Sequence, residues 1–344
     1  MGIMKSQGWL FSLLMLLNCL LASTLIGQQV DGRASPADYP QLGGLNAADQ
    51  AVPLPLVPEE FRNLTPEHQK YIEDLLDVWE QSSSQVKLCT CDFERWDYNA
   101  EIVSKRDPND NRLIAHRIVR GQIRFGNPDQ AQYESSEMWS YQNPDEQNPY
   151  VQQKGDGDHE KWICDGKSIY EFDFVNKRVY ENKIPSEMQG SGLAESPLPF
   201  LFGAKKQQIL DRYWLRIATP AGLENEYWLL AVPKRAEDAQ TYSKVEIILA
   251  KEDFLPKSLH IYSKGYNPAT TAVSQHVEFK NRKINGQLAT IKNFMGMFVR
   301  PAKPIGWEWV EGLPEAGRPA SADSNSSTQF RSGAANQPSQ LNRK

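Results

Sequence analysis

The sequence predicts a mostly β protein of the α+β class, built on one antiparallel sheet of about ten or more strands. Three observations carry that expectation. From Gln85 onward apolar and polar residues alternate with period two, the signature of strands with one face in a core. Turn signals such as Asp165-Gly166, Asn176-Lys177 and Asn285-Gly286 break the alternation into hairpins. A single amphipathic helix precedes the run, and such a helix is normally laid over the sheet that follows.

Lys5 opens an otherwise uncharged segment, and Trp9 to Leu21 is apolar apart from Ser12 and Asn18. Ala22, Ser23, Thr24 and Gly27 follow, so residues 1–27 read as a secretory signal peptide that addresses the chain to the periplasm or cell envelope. Cleavage is placed after Gly27. Asn18 is bulky and polar where lipidation of Cys19 would want a small residue, which disfavours a lipoprotein. Residues 28–60 are rich in Pro, Ala and Gly without periodicity and read as a linker.

Thr65-Pro66-Glu67 is a helix start, with a capping hydroxyl, proline at the first helical position and an early acid. The spacing predicts a helix over 66–81. Its apolar face carries Leu64, His68, Tyr71, Ile72, Leu75, Leu76 and Trp79. Strands are expected at 86–98, 113–125, 132–139, 161–164, 167–174 and 177–183. More follow near 213–218, 226–232, 243–250, 256–263, 271–281, 287–294 and 297–300. Residues 143–158 read as a polar loop. Between 185 and 211 the alternation stops. Ser196-Pro197-Leu198-Pro199-Phe200-Leu201-Phe202-Gly203 is an apolar cluster there, and a short helix is expected within 204–212. Beyond Val310 the composition turns to Gly, Pro, Ala, Ser, Asn and Gln, so 311–344 read as a disordered polar tail. One domain, 61–310, remains.

Composition bounds the function. Hydrophobic residues at 40% and charged ones at 24% suit a globular chain with a core. The formal charge of −5 is spread along the sequence and argues against a nucleic-acid surface. Charge on the alternate strand positions argues against a membrane barrel. Cys89 and Cys91 share one strand face and do not readily bond each other, though either could meet Cys164. A zinc site from Cys89, Cys91, His159 and Cys164 fits no closed-site spacing. Gly155-Asp156-Gly157-Asp158-His159-Glu160 lacks the register of a calcium loop and reads as a solvated turn. The pair Glu171/Asp173 reads as the wet side of a strand rather than as glycosidase carboxylates. No phosphate-cradling loop, His-Glu-x-x-His or Gly-x-Ser-x-Gly occurs, and no cofactor or metal is expected. No catalytic residue is singled out; a hydrolase with a spatially assembled site ranks last.

The order of several short motifs resembles the periplasmic outer-membrane lipoprotein carriers (LolA-like). They are Ile163-Cys164-Asp165-Gly166-Lys167-Ser168-Ile169-Tyr170-Glu171-Phe172-Asp173, Ser196-Pro197-Leu198-Pro199-Phe200-Leu201, Val232-Pro233-Lys234, Phe279 to Asn285 and Phe298-Val299-Arg300-Pro301. The resemblance implies a strongly curved, unclosed half-barrel whose apolar concave face is covered by helices. It implies a non-enzymatic carrier of lipid or acylated protein, for which each buried methylene is worth about 0.8 kcal/mol. The residues it would place at the cavity and lid are Leu75, Trp79, Phe93, Tyr170, Phe172, Leu198, Phe200, Leu201, Phe202 and Trp228. Carriers set an arginine before the strand-end proline to tie the lid. This chain has Asn127 there and Arg124 three residues earlier, so these two are its lock candidates. A monomer is expected. The alternative is a sensor or interaction module on the same fold, with an envelope protein as partner.

Overall fold

In the computed structural model the described residues are 57–107, 113–126, 129–142, 147–155, 159–186, 189, 205–270, 272–286 and 298–312. The expected strands at 287–294, the apolar cluster 196–203, the lock candidate Asn127 and nearly all of the polar tail lie outside them.

A short helix α1 (Glu59–Arg62) stands where the last linker residues were expected and buries Phe61. Helix α2 (Pro66–Ser84) starts as read, with Thr65 Oγ1 accepting from the His68 N–H at 3.3 Å. It runs three residues further than expected, through Ser82, Ser83 and Ser84. Its buried stripe is Ile72, Leu75, Leu76, Trp79 and Ser83. Tyr71 and His68, expected on that stripe, face outward, because the packed face centres on Leu75 and Leu76 instead of one turn earlier.

The strands are β1 (Leu88–Asn99), β2 (Arg117–Gly126), β3 (Gln130–Tyr141), β4 (Tyr150–Gln152), β5 (Lys161–Asp165), β6 (Ser168–Asp173) and β7 (Arg178–Lys183). Helix α3 (Lys206–Arg212) precedes β8 (Tyr213–Ile217) and β9 (Glu226–Pro233). Helix α4 (Ala236–Thr241), not foreseen, leads into β10 (Tyr242–Ala250), β11 (Pro256–Ser263), β12 (Val273–Ile284) and β13 (Glu308–Glu311). Two strands are corrections to the sequence reading. β4 lies inside the segment read as a polar loop, where Tyr150 pairs with Tyr141. β13 lies partly in the expected tail, while residues 298–300 form no strand.

Together these make a 13-stranded sheet in the order β13-β7-β6-β5-β3-β2-β1-β12-β11-β10-β9-β8, with β4 beside β3. Every ladder is antiparallel except β13 on β7. The two ends of the order do not pair, so the sheet is the expected unclosed half-barrel with helices over its inner face. Turn chemistry supports the register: Gly166 at φ 87° and Lys177 at φ 54° close the hairpins flanking β6.

One face of the sheet holds the main core. Cys89, Cys91 and Phe93 of β1, Val119 and Ile123 of β2, Tyr133 of β3 and Trp162 of β5 share it with Leu229, Ile247 and Phe279. The stripe of α2 completes the same cluster. The outer face has its own smaller cluster, where Ile163, Tyr170 and Val179 meet Phe172, Trp307 and Trp309.

Candidate functional site

The inner face is built from side chains that register brings into rows. Cys91 stands opposite Ile123, Ile123 opposite Tyr133, Tyr133 opposite Trp162, Trp162 opposite Glu171, and Glu171 opposite Tyr180. Directly opposed residues share a face, so this row crosses six strands on the side that α2 covers. Three rings in it and beside it are layered. Phe93 stacks on Tyr133 with centroids 4.6 Å apart, and Tyr133 lies nearly parallel to Trp162 at 6.0 Å. Gly121 makes the first contact possible: a Cβ there would come within 2.7 Å of the Phe93 ring and collide with the Glu134 carbonyl.

Further along β1 the inner face turns ionic. Arg95 Nε donates to Asp97 Oδ1 at 2.9 Å, and its Nη1 donates to Glu160 Oε2 at 2.8 Å and to the Tyr133 hydroxyl at 2.7 Å. Arg117 Nε donates to Asp97 Oδ2 at 2.7 Å, and the Tyr133 hydroxyl donates to Glu160 Oε2 at 2.9 Å. All five side chains are buried or nearly so. Two guanidinium groups face two carboxylates, so the cluster is neutral. Burial pushes the Asp97 carboxyl up, but Arg95 and Arg117 outweigh it and hold it down at about 2. Burial likewise opposes the charge on Glu160, and Arg95 again wins. Glu160 was read as part of a solvated turn; the structure corrects this, since it is the acceptor that Arg95 needs.

Beyond Trp162 in the same row comes Glu171. The sequence reading put it on the wet side of its strand. The register instead turns it inward, between Trp162 and Tyr180. Burial, with Asp173 and Glu160 adding like charge, raises its carboxyl to about 7. Two buried donors lie nearby on the same face: Trp162 Nε1 and Asn182 Nδ2 have no hydrogen-bond partner among the described residues. Asn182 is opposite Ile169, one position along from Glu171 in the sheet lattice. The inner face therefore offers apolar area, two unused N–H groups and a carboxyl that is protonated just below neutral pH. That set can hold the acceptor group of an otherwise apolar molecule.

A folded carboxyl with a raised pKa penalises the charged form. Its contribution is therefore favourable at low pH and is lost as pH climbs from its unfolded value towards about 7. Glu171→Gln should leave stability at pH 5 nearly unchanged and raise it by about 1–2 kcal/mol at pH 8, after allowance for solvent screening. Urea midpoints at the two pH values measure this; an equal effect at both would contradict it.

The other expected site residues fall into three groups. Leu75, Trp79 and Phe93 lie together in the core beneath α2, at 5%, 1% and 2% exposure. Tyr170, Phe172 and Trp228 are not on that face. Tyr170 and Phe172 belong to the outer cluster, because their neighbours Ile169 and Glu171 take the inward positions. Trp228 alternates outward beside the buried Leu229, with its Nε1 donating to Glu226. Leu198, Phe200, Leu201 and Phe202 lie outside the described residues. Arg124 also points outward and donates to Gln132 at 3.1 Å. Cys89, Cys91 and Cys164 are all buried and unbridged, which removes the expected option of a bond to Cys164.

Sequence reading missed the ionic cluster and also a histidine group on the outer face. There His260 and His276 stack at 5.5 Å, Ser258 Oγ meets His276 Nε2 at 2.7 Å, and Tyr262 bridges His260 to Glu246. Ser258 is only 4% exposed, so this contact ties strands together without presenting a nucleophile. No spacing in the chain announces either group; both exist only once strands pair.

No protein-family profile matches the chain, and no curated protein sequence matches it. Among solved structures, it is similar to an uncharacterized conserved protein from Thermus thermophilus at 8% identity and a TM-score of 0.38. That match covers 70% of this chain and 99% of the other. It is also similar to a LolA superfamily protein from Nitrosomonas europaea at 8% identity and 0.31, covering 66% and 97%. A third, LprF from Mycobacterium bovis, matches at 7% identity and 0.32, covering 64% and 96%.

Proposed function

We propose that this chain is an exported, non-enzymatic binding protein whose inner sheet face shields the apolar part of a lipid or of an acylated protein. The observation that carries the reading is the pair of buried donors without a partner among the described residues, Trp162 Nε1 and Asn182 Nδ2, on the inner face beside Glu171. A buried N–H without an acceptor costs about 1–3 kcal/mol. A ligand carbonyl or carboxyl group would recover that cost while its hydrocarbon part displaces the cover.

The cover is suited to moving. Helix α2 meets the sheet through Ile72, Leu75, Leu76 and Trp79, and its polar ties run to α3. Lys206 Nζ donates to Asp77 at 2.8 Å and the Lys206 N–H to Glu80 at 2.9 Å, so the two helices form a unit. At the C-terminal end of α2, Asn285 accepts from the N–H groups of Lys87 and Leu88 and donates to the Gln85 carbonyl. That clamp fixes one end, while Ile72, Leu75 and Leu76 hold the helix to the sheet by apolar contact.

Organic extraction of the purified chain, with mass spectrometry of the extract, and titration with a fluorescent fatty-acyl probe test the reading. Lipid in the extract or saturable probe uptake is expected, and Trp162→Phe should weaken uptake about tenfold, the worth of one recovered hydrogen bond. An empty extract together with no uptake overturns it. A second reading, an envelope protein-interaction module, is favoured by the small size of the apolar cavity beside Cys89 and Cys91, about 20 Å³. Capture of a partner that is insensitive to bulky substitution at Leu201 or Phe202 would select it.

A further inference from the structure

The two most exposed large hydrophobic side chains among the described residues are Ile305 and Val175, and they stand side by side. Ile305 is fully exposed and Val175 is 63% exposed. Val175 lies in the hairpin turn between β6 and β7, and Ile305 in the turn that leads into β13. The parallel pairing of β13 on β7 brings these turns together. The Glu308 N–H donates to the Lys177 carbonyl at 2.8 Å, and Trp307 meets Phe174 edge-to-face at 5.1 Å. A single exposed apolar residue is ordinary, whereas two on neighbouring corners backed by half-buried aromatic rings mark an interaction site.

Neither turn is free to tuck its apolar residue away. Asp173 accepts from the Asn176 N–H at 2.9 Å and from its side-chain amide at 2.6 Å, and Lys177 closes that turn at φ 54°. In the other turn the Trp307 N–H donates to the Pro304 carbonyl at 3.1 Å. Gly306 takes φ 79°, the left-handed conformation that the third position of such a turn needs, which leaves Ile305 at the corner. Both turns rest on the outer cluster, where Phe172 lies 6.1 Å from Trp307.

We propose that the paired turns 174–177 and 304–307 form a wedge that docks the protein on an anionic lipid bilayer. Charge complementarity selects this partner. Lys177 and Lys303 are exposed, flank the two corners and enter no ion pair among the described residues. The acids nearest along β13 are engaged, Glu308 with Arg178 at 2.8 Å and Glu311 with Lys183 at 3.4 Å. Apolar corners thus enter the headgroup boundary while the lysines stay at lipid phosphates, each adding attraction to an anionic surface. The Trp307 ring suits the same depth, with an apolar body and a polar N–H. A protein partner would need roughly 800 Å² of matched surface, which two turn corners do not present; a fluid bilayer moulds around single side chains. The wedge lies on the outer face, so it does not rest on the inner-face ligand reading.

Flotation of the exported chain with lipid vesicles tests this. Vesicles of phosphatidylcholine containing phosphatidylglycerol should retain the wild type, and vesicles of phosphatidylcholine alone should retain it more weakly. Val175→Ser combined with Ile305→Ser should weaken retention about tenfold, the worth of one buried aliphatic side chain. Lys177→Gln combined with Lys303→Gln should weaken it about tenfold on the anionic vesicles and little on the neutral ones. All four side chains are exposed, so both double variants should fold and take up the fatty-acyl probe as the wild type does. Trp162→Phe should do the reverse, keeping flotation and losing uptake, so the two readings fail separately. A second readout locates the contact: lipids brominated on their acyl chains should quench the wild-type tryptophan emission, and Trp307→Phe should lose most of that quenching. No flotation of the wild type, equal retention on both vesicle types, flotation unchanged in the serine double variant, or quenching unchanged in Trp307→Phe would each overturn the proposal.

Discussion

Replacing Arg95 by Met should lower the unfolding free energy by about 3–5 kcal/mol, the usual cost of breaking a buried ion pair from one side. The side chain is 5% exposed and donates to Asp97, Glu160 and Tyr133 together. Removing it leaves Asp97 with the Arg117 guanidinium, and Glu160 with the Tyr133 hydroxyl and a 3.6 Å contact to Arg117. Arg95→Lys should lose less, yet it keeps the charge without the planar fork that serves both acids. Denaturant midpoints at pH 7 measure both; a change in Arg95→Met below 1 kcal/mol would show that the acids find other partners. The same cluster sets the acid limit. Asp97 is depressed to about 2, so its stabilisation is complete above its unfolded value near 4 and is lost as pH falls through about 2.

The second large effect belongs to Trp79. At 1% exposure it is the largest side chain that α2 inserts into the core, and Trp79→Ala should cost about 3–5 kcal/mol. The vacated space is lined by apolar groups and should stay dry. It should therefore gain affinity for small apolar probes that the wild type ignores. Thermal melts with and without such a probe separate the two consequences. A stability loss without probe uptake would mean that α2 settles inward and closes the gap, which argues against a cover held off by its tryptophan.

Much of this architecture is legible in the sequence. The cap at Thr65, the turns at Gly166 and Lys177 and the alternation of β1 to β3 depend on neighbours within a few positions, and they hold as read. What failed was face assignment. Tyr170, Phe172 and Trp228 are as apolar as Phe93, and alternation alone does not say which phase points inward. β6 carries apolar residues on one phase and Ile169 with Glu171 on the other, and the partner strand decides. In β6 the decision went to the phase bearing an acid, because Trp162 and Tyr180 flank it inside. The Arg95 cluster was illegible for another reason: its members come from β1, β2, β3 and the residue just before β5, joined only by register. β4 and β13 were missed because strands of three and four residues are too short to establish a period.

An open sheet has two borders, and borders recruit copies of themselves into fibres. Here both borders are brief, β8 with five residues and β13 with four. The β13 border carries Glu308 and Glu311, and Arg216 lies near the end of the other. Short charged margins make poor templates for end-to-end growth. A half-barrel can thus stay unclosed, keeping the freedom to gape, without polymerising along the very ladders that build it.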